Sequence, residues 1–180
     1  MNVVHEKLTR QRFRELYAGR KPQFELIDGQ AEPKALGSKR HALLQLILCR
    51  ILEQLGFRAW PELSLAIDVA WEPIPDVAGT LGPEETEETY QSRPVAVAIE
   101  ILSPSDRFAL VDQKCRKYAD WGVPDILLFD PINHIAWRWA PEYSGLVPIT
   151  GSYSFRSKPG AALILKDVFQ QLEEKLPAGH

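Results

Sequence analysis

From Val95 to Leu102 the chain reads Val-Ala-Val-Ala-Ile-Glu-Ile-Leu, apolar at every position except Glu100. A strand that is apolar on both of its alternating faces is covered on both sides and lies inside a sheet. Ser103-Pro104-Ser105-Asp106 ends this run and opens a helix predicted to reach Trp121, where Gly122-Val123-Pro124 stops it. Ile126 to Asp130 is then a second buried strand. A strand, a helix and a strand in succession need a crossover connection, expected to be parallel and right-handed. The fold class that follows is α/β, a mixed sheet flanked by helices.

The rest of the chain fits around that unit. Thr9 to Tyr17 reads as a short helix with Phe13, Leu16 and Tyr17 on one face and Gly19 as its stop. Phe24 to Gly29 reads as a strand entering an Asp-Gly turn, with Gln30-Ala31-Glu32 returning as the hairpin partner. Ser38 can cap a long helix ending at Gly56, with Leu44, Ile47, Leu48, Ile51, Leu52 and Leu55 at the helical period. Leu63 to Trp71 alternates and is expected as a half-buried strand. Pro73 and Pro75 break it, and Asp76-Val77-Ala78 follows as a short strand. Gly82 to Gln91, with Glu84, Glu85, Glu87 and Glu88, is expected as a solvated surface loop. His134 to Trp139 and Gly145 to Ile149 read as an antiparallel pair, and Asp167 to Lys175 as a closing helix. With 180 residues and no internal repeat or linker signal, one domain over residues 1–180 is expected.

Charge and cysteine usage narrow the function classes. The formal net charge is -3, so contact with nucleic acid would have to rest on a local basic surface. The two cysteines, Cys49 and Cys115, form no CxxC pair and fall within apolar helical patterns. Buried free thiols in a reducing cytoplasm are expected, not a disulfide framework. The first twenty residues are too charged for a signal peptide, and no apolar run approaches the roughly 20 residues that span a bilayer.

Glu100 is the most informative single residue. A carboxylate near the end of a buried strand carries a large desolvation cost unless a cation or hydrogen-bond donors compensate it. A structural carboxylate bonded to the next helix N-terminus, or one at a sheet edge, is the alternative. Asp76, in Ile74-Pro75-Asp76-Val77, stands at the start of another short strand, where a simple turn aspartate is the alternative. Brought together at one sheet end, the two would form a hard oxygen site suited to Mg²⁺ or Mn²⁺. The helix after Glu100 places Phe108, Val111, Cys115, Tyr118 and Ala119 on its packing face, with Lys114 on the flank and Lys117 turned farther away. Lys114 can therefore reach back to the sheet end, and Lys117 is expected to face solvent. His41 reads as a helix-surface residue near Lys39 and Arg40 that could meet phosphate. Glu25 could join the metal site or form a cross-strand ion pair. His5, His134 and His180 show no zinc spacing, and no phosphate-binding glycine loop or nucleophile elbow is present.

In order along the chain stand Phe24-Glu25-Leu26-Ile27-Asp28-Gly29, His41 in a helix, Pro75-Asp76-Val77, Glu100-Ile101-Leu102-Ser103-Pro104-Ser105, Lys114 with Tyr118, and Gly122-Val123-Pro124 before Asp130-Pro131. This pattern resembles the Uma-type restriction endonuclease family, long listed as a domain of unknown function, within the PD-(D/E)XK nuclease superfamily. The resemblance covers roughly Phe24 to Pro131. It implies a restriction-endonuclease-like core and Mg²⁺-dependent hydrolysis of DNA phosphodiester bonds, with Mn²⁺ as a substitute. Asp76 matches the motif Asp and Glu100 the motif Glu. Leu102 stands where the superfamily pattern has Lys, and the resemblance passes that role to Lys114. Family members often carry Asp four residues before this lysine, where the chain has Leu110. By analogy with enzymes that cut two strands, a homodimer is expected. Two other readings stand beside this one. One is a nucleic-acid-binding or scaffold protein that keeps the fold without turnover. The other is a metal-dependent phosphatase acting on small esters.

Overall fold

The computed structural model describes residues 7–35, 37–82, 90–104 and 106–176. Its elements run α1 (Arg10–Tyr17), β1 (Phe24–Ile27), β2 (Gln30–Pro33), α2 (Lys39–Gln54), β3 (Arg58–Pro61), β4 (Ser64–Leu65), β5 (Val77–Thr80), β6 (Tyr90–Gln91) and β7 (Val97–Ile101). They continue with α3 (Phe108–Trp121), β8 (Asp125–Asp130), β9 (Ile135–Ala140), β10 (Gly145–Pro148), β11 (Ser152–Ser154), β12 (Ala162–Ile164) and α4 (Leu165–Lys175).

The principal sheet has six strands in the order β10-β9-β8-β7-β5-β3. The apolar run containing Glu100 lies at its middle as β7. It pairs in parallel with β8 and antiparallel with β5, so α3 is the crossover the sequence requires. Period-two alternation divides β7 between two cores. Val97, Ile99 and Ile101 pack with α2 and α4, while Ala98 packs with Val111, Cys115 and Tyr118 of α3. Glu100, in step with Ala98, consequently projects toward α3. The last paired residues of β5 and β7 are Val77 and Ile99. One step further along that antiparallel register, Asp76 falls opposite Glu100.

Local chemistry sets the helix boundaries. The Thr9 hydroxyl accepts the Arg12 N–H, and the Ser38 hydroxyl accepts the His41 N–H, which caps α1 and α2. Gly122 ends α3 at φ 102°, in the left-handed region that glycine enters without steric cost. The β1–β2 hairpin pairs Ile27 with Gln30 and Phe24 with Pro33 across the Asp28-Gly29 turn. It docks through Leu26, which exchanges backbone hydrogen bonds with Glu72. That contact carries the hairpin, and Glu25 with it, to the end of the sheet where Asp76 stands.

Three expectations change. The alternating segment Leu63–Trp71 is not one strand; only Ser64–Leu65 pairs regularly, as β4 with β6. Asp68 and Trp71 exchange backbone hydrogen bonds, and the Asp68 carboxylate accepts the Ala70 N–H, so a side-chain-supported turn replaces the ladder. The strand beside β5 is β3, ending at Pro61 on the sheet edge where a proline is tolerated. Phe108, assigned to the packing face of α3, is 54% exposed at its first turn. Both cysteines are free, Cys115 buried and Cys49 half-buried. The acidic residues Glu84, Glu85, Glu87 and Glu88, with His5, Ser105 and His180, lie outside the described residues. No helix among the described residues is long and apolar enough to cross a membrane.

Candidate active site

Asp76, Glu100 and Lys114 line one cavity of about 480 Å³ at the end of β5 and β7. All three are buried, at 4%, 5% and 4% exposure. Glu25, Lys34 and His41 join them in the lining. Lys114 sits on the α3 face that packs on the sheet. Its Nζ lies 2.8 Å from Glu25 Oε1 and 2.9 Å from Glu100 Oε1. One turn later on the same face, the Tyr118 hydroxyl donates to Glu100 Oε1 at 2.7 Å. Glu25 Oε1 also accepts the Ile74 N–H at 2.6 Å, which fixes that carboxylate against the chain just before Asp76.

Asp76 has a separate set of partners. Its Oδ1 meets Lys34 Nζ at 2.9 Å, and its Oδ2 accepts the Ile101 N–H at 2.7 Å and lies 3.3 Å from His41 Nε2. Lys34 leaves the end of β2 and also donates to the Ile74 carbonyl. Gln45 on α2 donates to the Asp76 carbonyl, so helix and strand end are tied together. His41 needs space at Gly37. A Cβ there would lie 2.6 Å from the His41 ring.

The electrostatics follow from three carboxylates facing two lysines in a buried site. Burial opposes ionisation of Asp76, but the hydrogen bond from His41 and the charges of Lys34, His41 and Lys114 outweigh it and hold its carboxyl well below the usual range. Glu100 goes the other way. Burial pushes it up to about 7; Lys114 pulls it down, and the Asp76 charge pushes it up again. Burial disfavours the Lys114 ammonium, yet Glu100, Glu25 and Asp76 raise its pKa above the usual lysine value. His41 is also raised, its bond to Asp76 overcoming the cost of burial. Like charges in one buried site cannot all ionise freely, and Glu100 is the acid left short of positive charge.

That shortfall bears on the metal expected from the sequence. The carboxylate oxygens of Asp76, Glu100 and Glu25 are hard donors and outnumber the lysines, a donor set that fits a divalent Mg²⁺ or Mn²⁺ in charge and type. Among the described residues, however, no three His, Cys, Asp or Glu side chains converge as a metal-ready cluster. Lys34 and Lys114 stand on the carboxylates instead.

Of the residues singled out from sequence, Asp76, Glu100, Lys114 and Glu25 are brought together. Lys117 is not; it pairs with Asp68 at 2.6 Å over the Trp71 ring. It is half-buried, not solvent-facing. His41, expected on a helix surface, is 7% exposed and faces Asp76. Its spacing from Leu44 and Leu48 carried that signal, since three- and seven-residue steps share a helix face. Lys34 was missed altogether, because nothing in Glu-Pro-Lys after a hairpin strand marks a lysine that turns inward.

A mixed sheet carrying buried acids and a lysine at one central strand end is a restriction-endonuclease-like architecture. The chain belongs to the Uma2 family, described as "Putative restriction endonuclease", which it matches over residues 10–178. In structure it resembles "a putative nuclease belonging to DUF820" from Anabaena variabilis, with a TM-score of 0.75 and 22% identity, over 92% of this chain and 99% of the other. At that identity the likeness is one of fold. The DrdV–DNA complex overlaps it with a TM-score of 0.38 and 14% identity, over 76% of this chain and 12% of the other, and carries no weight. No curated protein matches the chain in sequence.

Proposed function

We propose that the chain is a metal-dependent endonuclease that hydrolyses DNA phosphodiester bonds. The observation that supports this most is the buried Asp76–Glu100–Lys114 group opening into a solvent-reached cavity. Asp76 and Glu100, with Glu25 beside them, would hold Mg²⁺ or Mn²⁺. The ion, when bound, supplies a Lewis acid for the phosphate and for the attacking water. Lys114 is held protonated by its carboxylate neighbours. It therefore donates hydrogen bonds and offsets phosphate charge, and does not serve as the general base. Lys34 adds positive charge on the Asp76 side, where His41 also faces Asp76 and where the scissile phosphate would enter. In the reaction, water oxygen bonds to phosphorus and one P–O ester bond breaks. Leu110 lines the cavity without leaving Lys114 short of acids, since Glu25 and Glu100 already face it. A homodimer would present two such sites to two strands.

The test is incubation with supercoiled plasmid in Mg²⁺ and in Mn²⁺, beside an Asp76→Ala protein. Nicked or linear product from wild type alone is the expected result. The placement of Lys34 and Lys114 on the carboxylates favours a second reading, a nucleic-acid-binding or scaffold protein without turnover. Plasmid retained but uncut under both metals would establish that reading. Release of phosphate from small esters with plasmid left intact would point to a phosphatase.

A further inference from the structure

A second cavity, about 680 Å³, adjoins the first and shares Lys34 and Ala35 with it. Its wall is aromatic. Phe13 and Tyr17 stack at 5.4 Å between ring centroids, Tyr17 meets Phe24 at 4.7 Å, and Tyr90 lies under the Arg14 guanidinium at 3.8 Å. Tyr17, Phe24 and Tyr90 are half-buried and line the cavity, with Arg14 over the Tyr90 ring and Phe13 stacked on Tyr17. The lining is also basic. Arg14, Arg20, Lys21 and Lys34 stand against Glu62 and Glu72, in a chain whose overall charge is -3. Arg14 is held by Glu72 at 2.7 Å and Lys34 by Asp76 at 2.9 Å, which among the described residues leaves Arg20 and Lys21 as the free cations of this lining, against the exposed Glu62. Arg20 and Lys21 are exposed at the rim, with Arg20 5.3 Å from the Tyr17 ring centre.

Aromatic faces beside free cations are the means by which proteins hold unpaired nucleotides. Bases stack on the rings, and the backbone phosphates meet the arginines and lysines. A base inside a duplex keeps its faces in the stack and cannot use such a platform. We infer that this cavity binds an unpaired nucleotide of the DNA strand, next to the phosphate held at Asp76. Lys34 joins the two cavities, since its Nζ sits on Asp76 Oδ1 while its side chain lines both. The pocket thus directs the enzyme to strands with a displaced base or a single-stranded end. Stacking does not read the base's hydrogen-bonding edge, so the preference is for structure over sequence. The location of the nucleotide rests on the phosphodiesterase reading of the neighbouring cavity.

Binding can be measured apart from cleavage, by fluorescence anisotropy in EDTA. The probes are a labelled blunt duplex and the same duplex carrying a single-stranded overhang. Wild type should bind the overhang probe more tightly. Tyr17→Leu should reduce that preference about 5- to 150-fold, the range of one lost base–aromatic stack at tenfold per 1.4 kcal/mol. Tyr17→Phe should restore it, and Arg20→Ala, at an exposed position that leaves folding intact, should also weaken the overhang complex. Equal affinity of wild type for the two probes would overturn the inference. So would an overhang preference undiminished in both Tyr17→Leu and Arg20→Ala. An overhang preference in a protein that cuts no plasmid would keep the pocket and remove the nuclease reading. Plasmid cutting with no overhang preference would do the reverse.

Discussion

Lys114→Met is the most informative single change, because it separates the folding role of the ammonium from its role toward substrate. In the native site Lys114 Nζ lies within 3 Å of both Glu25 and Glu100, and its side chain is 5% exposed. Methionine fills similar space and removes only the charge and its hydrogen bonds. Breaking a buried ion pair from one side costs roughly 3–5 kcal/mol, since the partner charge stays buried without compensation. Proton uptake by Glu100, whose pKa already stands at about 7, limits the loss, so the lower end applies at neutral pH. At about 2–4 °C per kcal/mol for a chain of this size, the melting temperature should fall by roughly 6–12 °C. The pH sign is fixed by the same proton. A carboxyl whose folded pKa lies above its unfolded value contributes stability that is full below the unfolded value and lost as pH rises through the folded one. Without Lys114 the folded pKa of Glu100 rises further, so the gap between variant and wild type should narrow from pH 8 to pH 5. Thermal melts in EDTA across that range measure it. A variant melting within about 2 °C of wild type at pH 8, or a gap that widens toward acid, would refute a charge-bridging role for Lys114.

Other outcomes follow from the same geometry. Asp76→Asn and Glu100→Ala should each abolish plasmid cleavage while the far-ultraviolet circular dichroism stays that of a folded chain. Cleavage surviving in either would remove that residue from the site. In EDTA, Glu100→Gln should melt at or above wild type at pH 8 and lose this advantage as pH falls from about 7 toward the ordinary carboxyl range, because wild-type Glu100 must ionise in a buried site only at the higher pH. A variant melting well below wild type throughout would mark Glu100 as structural. At saturating DNA, Lys117→Ala should retain most of the wild-type turnover, since Lys117 is spent on Asp68 and Trp71, whereas Lys114→Met should lose about a hundredfold or more. Equal losses from the two would contradict the helix phase that puts Lys114 alone inside. Gly37→Ala should reduce cleavage by displacing the His41 ring, and an unchanged rate would show that His41 is not used.

The parts of the fold legible in the chain were those where one periodicity holds for many residues. The apolar run at β7, the α3 crossover and the long α2 gave unambiguous patterns, and the parallel β7–β8 pair followed from them. Leu63–Trp71 alternated as cleanly on paper. What overrode its pattern was local, the Asp68 carboxylate bonding to the backbone two residues on. The short β11–β12 pair carried no comparable signal in three-residue segments. Within the site, Glu100 was legible because charge inside an apolar run is costly and therefore marked, whereas Asp76 at a strand start and Glu25 in a hairpin each left a structural alternative open. The bases were less so. A lysine stem packs on apolar surface whether its head turns to water or inward, and only the facing carboxylates decide between the two for Lys34.

Charge balance also bears on Leu110, the position where the family resemblance leads one to expect an acid. Leu110 is half-buried, lies one helical turn before Lys114 and lines the same cavity. An aspartate there would face a site in which three buried carboxylates already share Lys34 and Lys114, and in which Glu100 holds its proton to about pH 7. A fourth acid would have no free cation on α3 to meet it, since Lys114 is taken by Glu25 and Glu100, Lys117 by Asp68 and Arg116 by Asp112. Glu25 occupies the second acidic place beside Lys114, delivered by the hairpin and fixed by the Ile74 N–H. Lys114 therefore draws its acid partners from β1 and β7 and needs none from α3. The lysine keeps two carboxylate partners, and the leucine leaves an apolar rim at the mouth of the site.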